Sequence, residues 1–352
     1  MVEVLIPTFQ RSGMLLRAIK SVQAQTYHDL IICVYDNSST DDTEDLVRKL
    51  CLVDNRIKYY RHNENIGVIP NYTFALACVS SPYFTFLADD DVLHPDCIQH
   101  AITGLITNAD VVFWGGNTVH INTDTGAVIR GTGWSWLRGG VYSSARACRK
   151  ICSGNHIEFQ GLVFRTAMVR ETGVDFSAEI SLPDIDFQLR LASHYRIGIT
   201  RGVTAVMYSH DRSISSGLRS FSTFWPTMKN IGQRFIAYNL FSSGEARRCV
   251  DEWNRTTILT LLFLAGTGRE HVDTIVYSNI ITILRDDYSD YFLARIGQLL
   301  IRLFLLPAPI STIAWFVFKL IYIFTRPSIF LNRIFPYCLR TFVKQSRFDG
   351  SF

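Results

Sequence analysis

No Cys-x-x-Cys pair occurs in this chain, although it holds eight cysteines. Closely spaced ligand pairs are what a structural zinc needs, so that class of site is not expected. The cysteines are scattered, mostly in apolar or helical stretches where a free thiol acts as a small hydrophobe. Scattered free thiols fit a reducing compartment. Met1-Val2-Glu3-Val4-Leu5-Ile6-Pro7 lacks a basic region, a long apolar stretch and a cleavage site. It reads as the first strand of a domain, not as a signal peptide. Acids are absent from residues 291–348, whereas eight of the 35 basic residues fall there. The net charge of +4 therefore belongs to the tail, and the body gives no reason to expect nucleic acid as a partner. No uncharged run of that tail reaches the ~20 apolar residues of a spanning helix. Its longest, 303–318, has 16 residues and contains Pro307 and Pro309. Internal repeats and low-complexity segments are also lacking.

What is present is a chain rich enough in apolar residues, at 48%, to build a substantial core across 352 positions. Up to about residue 115, strand and helix signals alternate. Strands are predicted at 2–6, 30–35, 57–61, 83–87 and 110–113, with helices at 11–24, 41–53, 70–79 and 95–106. Several of the helices open on a start signal, such as Thr40-Asp41-Asp42 or a proline. Apolar runs separated by helices predict a parallel sheet covered on both faces. Residues 116–215 are mixed, and the chain reads as helical from 216 to 352.

The chemistry concentrates at the predicted strand ends. Strand one ends in Pro7-Thr8-Phe9-Gln10-Arg11, strand two in Asp36-Asn37-Ser38-Ser39, and strand four in Asp89-Asp90-Asp91. Asn65-Ile66-Gly67 follows strand three. A parallel sheet brings these segments to one carboxyl edge, where open α/β sheets bind ligands. Three adjacent carboxylates repel one another unless a cation or a proton relieves them. Hard oxygen ligands suit Mg²⁺ or Mn²⁺, which usually arrive with phosphates.

With Leu182-Pro183-Asp184-Ile185-Asp186 and Tyr208-Ser209-His210 added, order and spacing resemble the inverting glycosyltransferases of family two from residue 2 to about 215. The resemblance implies a GT-A fold, a Rossmann-like, mostly parallel sheet flanked by helices, in residues 1–215. Its nucleotide-binding half would be 1–115 and its acceptor half 116–215. It also implies a nucleotide-diphosphate sugar as donor. Pro7, Thr8, Phe9 and Asp36 would hold base and ribose, with Arg11, Asn65 and Gly67 around the same pocket. The family's metal motif is Asp-x-Asp, often within Leu-Asp-x-Asp-Asp. In that register Ala88 replaces the first acid, Asp90 is the metal ligand, and Asp89 and Asp91 support it or reach ribose. The other register pairs Asp89 with Asp91. His210 matches a histidine that approaches metal or diphosphate. Asp184 stands where the family carries its general base, and Asp186 is the rival.

Trp134 and Trp136, in the Gly-rich loop 131–140, are candidates for a sugar platform, since aromatic faces suit a pyranose. Their alternative role is an apolar anchor. Gln160, in Phe159-Gln160-Gly161, borders the donor sugar on position alone, and Trp114-Gly115-Gly116 is a candidate hinge. In the tail, Lys319, Arg326, Arg333, Arg340 and Arg347 recur every seven residues, as Arg295 and Arg302 do. That step returns to nearly one helix face. The tail therefore reads as a C-terminal, all-helical, amphipathic extension lying on an anionic membrane surface at its cytoplasmic face. A re-entrant hairpin, or a helical or homo-oligomer contact, is the competing use of the same apolar faces. The acceptor implied is a glycan or lipid-linked saccharide. A degenerate scaffold in a glycan assembly complex is the non-enzymatic alternative. A sugar nucleotidyltransferase would need a Gly-rich loop after strand one, which this chain lacks.

Overall fold

The computed structural model describes residues 1–126, 128–132, 139–154, 157–176, 182–209, 243–267, 274–304 and 317. Trp134, Trp136, His210 and the basic series from Lys319 onward lie outside the described residues. Two compact units result: Met1–Cys148 with Asn155–Ser213, and Arg149–Gly154 with Ile214–Ile334, with residues 335–352 assigned to the first.

The first unit opens with β1 (Val2–Thr8), α1 (Ser12–Gln23), β2 (Leu30–Asp36), α2 (Thr43–Val53), β3 (Ile57–Arg61), α3 (Val68–Cys78) and β4 (Tyr83–Phe86). After these come the two-residue β5 (Val92–Leu93), α4 (Cys97–Thr107), the long β6 (Val111–Asn122), β7 (Val128–Thr132), β8 (Gly140–Tyr142) and the start of α5 (Ser144–Cys152), a helix divided between the two units. Then come β9 (Val163–Arg165), α6 (Thr166–Thr172), α7 (Pro183–His194) and β10 (Arg196–Ser209). All seven residues of β1 are buried, as expected for a strand covered on both faces. Glu3 is among them, and its carboxylate accepts from Ser80 N, Ser80 Oγ and Ser81 N at 2.8–2.9 Å. α1 lays Leu15, Ala18, Ile19 and Val22 on the sheet and α4 lays Ile98, Ala101, Ile102 and Leu105, both at helical spacing.

The strands run in the order β3-β2-β1-β4-β9-β6-β10-β5, with β7 on β6 and β8 on β10. β1 to β4 pair in parallel, as predicted from the alternation. β9 enters antiparallel between β4 and β6, so the sheet as a whole is mixed. The expected strand 110–113 continues to Asn122. Trp114, Gly115 and Gly116 lie inside it rather than in a hinge. Trp114 is a wedge: its Nε1 donates to Thr200 Oγ1 at 2.7 Å. The indole lies against Gly104 of α4 and Gly198 of β10, and a Cβ at either would overlap it.

The second unit contains α8 (Ser243–Thr267), α9 (Thr274–Asp286) and α10 (Phe292–Phe304). Ile258, Leu261 and Leu262 of α8 share a core with Ile280 and Leu284 of α9 and with Ala294, Leu300 and Ile301 of α10. Arg295 and Arg302 lie on the exposed face of α10, alongside Phe292 and Leu299. Among the described residues no helix is long and apolar enough to cross a membrane.

Candidate active site

Parallel pairing sets Thr8 opposite Asp36, and β4 flanks the other side of β1. The turns after β1, β2, β3 and β4 therefore share one edge. The first two are stitched together. Asn37 N donates to Thr8 O at 3.0 Å, Gln10 N to Ser39 Oγ at 2.8 Å, and Ser12 N to Asp41 Oδ2 at 3.1 Å. Burial pushes the Asp41 carboxyl up, but hydrogen bonds from Thr43 and Ser12 outweigh it and hold the group below its usual range. Gln10 and Ser38 have positive φ, 54° and 66°, and among the described residues they are the non-glycine positions that do. Strain of this kind collects at functional sites.

The predicted nucleotide-side residues border these turns. Asp36 is fully buried. Its Oδ1 accepts from Ser39 N at 2.9 Å, its Oδ2 from the Tyr59 hydroxyl at 2.6 Å, and Arg61 Nε stands 3.6 Å away. Both oxygens are thus engaged within the protein. Asn65 Oδ1 accepts from Asn37 Nδ2 at 2.8 Å and from Gly67 N at 2.9 Å. Gly67 needs its glycine, since φ is 93°. Pro7 is buried next to the end of β1, and Phe9 just beyond the strand has 37% of its surface exposed.

The acidic triplet is held by side chains from β1 and α1. Thr8 Oγ1 donates to Asp89 Oδ2 at 2.8 Å. Arg11 Nη1 lies 3.1 Å from both Asp89 Oδ1 and Asp90 Oδ2. Arg17 Nη2 donates to the Asp90 carbonyl at 2.7 Å, and its guanidinium stacks 3.8 Å above the Tyr208 ring. Asp91 points inward and accepts from Tyr208 N at 3.0 Å. Burial, then the neighbouring Asp90, pushes the Asp89 carboxyl up to about 6, against the pull of Arg11 and Thr8. Burial and Asp90 raise Asp91 well above the carboxylate range too. Asp89 and Asp91 thus hold a proton more tightly than free carboxyls do.

No group of three His, Cys, Asp or Glu residues among those described is arranged to cage a metal unaided. Mg²⁺-type cations seldom need such a cage, because one or two carboxylates and the substrate's phosphates hold them. The oxygen donors of this turn, and the crowding that raises Asp89 and Asp91, fit a cation of that kind.

Asp184 and Asp186 fall in the first turn of α7, which begins at Pro183. Asp186 is 1% exposed and forms an ion pair with Arg190 Nε at 2.8 Å, whereas Asp184 is half-buried. Tyr72 of α3, absent from the expected site, feels the charge of this acid and of the triplet. Its ring stacks on Phe86 at 5.2 Å and meets Phe176 edge-on at 5.7 Å, while Phe176 stacks on Phe187 of α7 at 4.7 Å. Burial raises the Tyr72 hydroxyl, and Asp89, Asp90, Asp91 and Asp184 each raise it further. Both acidic groups therefore lie near enough to act on one phenol. Gln160 is half-buried, two residues beyond Glu158, whose carboxylate lies 3.1 Å from His120 Nε2.

The family model described as glycosyl transferase family 2 matches residues 3–163. Over 91 residues the chain is 44% identical to GalNAc(5)-diNAcBac-PP-undecaprenol beta-1,3-glucosyltransferase of Campylobacter jejuni, covering 26% of this chain and 29% of that protein. Over 186 residues it is 27% identical to UDP-Glc:alpha-D-GlcNAc-diphosphoundecaprenol beta-1,3-glucosyltransferase WfaP of Escherichia coli, covering 53% of this chain and 66% of that protein. The chain thus spans less than two thirds of either curated relative. Among solved structures, S. aureus TarS 1-349 in complex with UDP-GlcNAc superposes with a TM-score of 0.64 at 16% identity, over 86% of this chain and 91% of that one. Sheet order, strand-end site and these matches agree: residues 3–163 match glycosyl transferase family 2, and the sheet is that of a GT-A fold.

Proposed function

We propose that this protein is a divalent-metal-dependent, inverting transferase that moves a hexose from UDP to a hydroxyl of a lipid-linked saccharide. The observation that carries the reading is the acidic turn Asp89–Asp91 at the strand edge, bridged by Arg11, with Asp184 near enough to act on the same Tyr72 hydroxyl. The names of the two curated relatives, both glucosyltransferases of diphospho-undecaprenol-linked sugars, support the sugar and acceptor class. UDP is the nucleotide in the names of WfaP and the TarS complex.

In this reading Asp90 holds the cation, supported by Asp91 and by His210, the residue that follows β10. A cation there would supply positive charge against that developing on the leaving diphosphate. Pro7, Thr8 and Phe9 border the base and ribose, and Asp36, Asn65 and Gly67 fix the shape of that pocket. Asp184 takes the proton of the attacking hydroxyl, an effect worth about 10²–10⁴-fold. Asp186, tied to Arg190, orients the helix and is not the base. A single displacement inverts the anomeric centre, so an α-linked donor gives a β-linked product. The basic, apolar tail, with the exposed Arg295 and Arg302 of α10, carries the protein to an anionic membrane surface where such acceptors reside.

The test is a screen of UDP-, GDP-, CDP- and dTDP-sugars with Mn²⁺, Mg²⁺ or EDTA. Metal-dependent binding of a UDP-sugar, lost in Asp90→Ala, is the expected result. Folded protein that binds no donor would point instead to a scaffold without transfer activity.

A further inference from the structure

Arg11 stands where two incoming charges would have to meet it. One nitrogen of its guanidinium is shared between Asp89 and Asp90 at 3.1 Å each. The three side chains are only 21%, 6% and 12% exposed, so water screens the contact poorly. Asp89 keeps its bond from Thr8 whatever Arg11 does. The Asp90 main chain is fixed separately, through the Arg17 bond to its carbonyl. Releasing Arg11 would therefore alter the charge beside Asp90 without moving the backbone that carries it. Arg11 also immediately precedes α1, a 12-residue helix, so it stands beside the positive end of a helix dipole.

We infer that Arg11 is a resident counter-cation that changes partner during donor binding. An arriving diphosphate draws the guanidinium off Asp90, and the divalent cation takes over that carboxylate. The inference rests on the transferase reading above and adds a binding order to it. A cation alone must displace a fixed positive charge, and a diphosphate alone must draw the guanidinium away from a buried carboxylate. Arriving together, the two leave every charge matched. Cation and nucleotide thus bind cooperatively, and each strengthens the other by the same factor.

The test uses the full chain stripped of metal, wild type and Arg11→Gln. Mn²⁺ binding is followed through the electron paramagnetic resonance signal of the free ion, and UDP binding by calorimetry. In wild type, UDP should tighten Mn²⁺ binding within the roughly 5- to 150-fold range usual for coupled sites. In Arg11→Gln, Mn²⁺ alone should bind about fivefold or more tighter than in wild type, while UDP alone binds more weakly. Opposite signs separate the exchange from structural damage, which would weaken both ligands and lower the melting temperature. Mn²⁺ alone binding no tighter to Arg11→Gln would overturn the inference while leaving the transferase reading intact. Wild-type protein that binds no nucleoside diphosphate even with Mn²⁺ would overturn both.

Discussion

The main-chain amide of Tyr208 donates to the Asp91 carboxylate across 117 positions of sequence, at 3.0 Å. Arg17 closes the same junction from the side, stacking on the Tyr208 ring and holding the Asp90 carbonyl. The acidic turn and the end of β10 are thereby locked together, two residues before His210. Arg17→Met should lower kcat/KM by roughly 10- to 100-fold, since displacements of about 1 Å cost on that order. Arg17→Lys should recover part of it. Steady-state kinetics beside thermal melts would check this, and unchanged kinetics in a folded Arg17→Met protein would remove the clamp from the site.

Asp184 and Asp186 should part company in the same pair of measurements. Asp184→Asn should lose about 10²–10⁴-fold in kcat with donor affinity kept. Asp186→Asn should cost about 1–3 kcal/mol of stability, because half-buried Arg190 loses the buried Asp186 carboxylate and keeps only its contact with Asp175. Denaturant unfolding and donor titration on both variants decide the assignment. The reverse pattern would make Asp186 the base.

The raised carboxyl of Asp89 gives stability a pH dependence with a definite sign. In the folded protein this group titrates at about 6, against 3.8 as its ordinary value. Folding therefore strengthens proton binding, and the associated stability is complete below pH 3.8 and is lost as pH rises through about 6. The total is at most about 3 kcal/mol. In EDTA, melting temperatures between pH 4 and 7 should fall more steeply for wild type than for Asp89→Asn. Parallel slopes would contradict the assignment.

Gly198→Ala should destabilise the first unit by about 1–3 kcal/mol, because the new methyl overlaps the Trp114 indole. Trp114→Leu in the same chain should recover part of that loss by making room. Guanidinium melts of the two variants would show it.

The half of the sheet built from β1 to β4 could be read from sequence because each strand is a short apolar run followed by a helix with its own start signal. The carboxyl-edge cluster followed directly from that topology. Elements set by distant partners carried no such mark. β9 has three residues, and its place between β4 and β6 depends on pairings more than 48 positions away. Trp114-Gly115-Gly116 looks like a hinge locally. In the structure its glycines make room for Leu162 and Thr204. Tyr72 was indistinguishable from other aromatics of an apolar helix, since what marks it is the company of four acids from two distant segments. Asp36 was conspicuous, yet its engagement with Tyr59 and Arg61 lies in a cross-strand contact that no local pattern encodes.

The placement of β5 has a mechanical consequence. Phe86 ends β4 and Val92 begins β5, yet the two strands stand four places apart in the sheet. In a flat sheet, four spacings of about 4.8 Å would separate them by about 19 Å. Six chain steps of at most about 3.6 Å barely cover that distance when fully extended, and this stretch spends some of them on a turn closed by Asp91 N and Ala88 O. The sheet must roll up to bring its far edge within reach, and the irregular register of β10 between Ile199 and Val203 is where a strand can bend. The acidic segment is therefore also a tether of fixed length. Lengthening it by one residue would let the rolled edge relax and would open the crevice without changing any side chain in it.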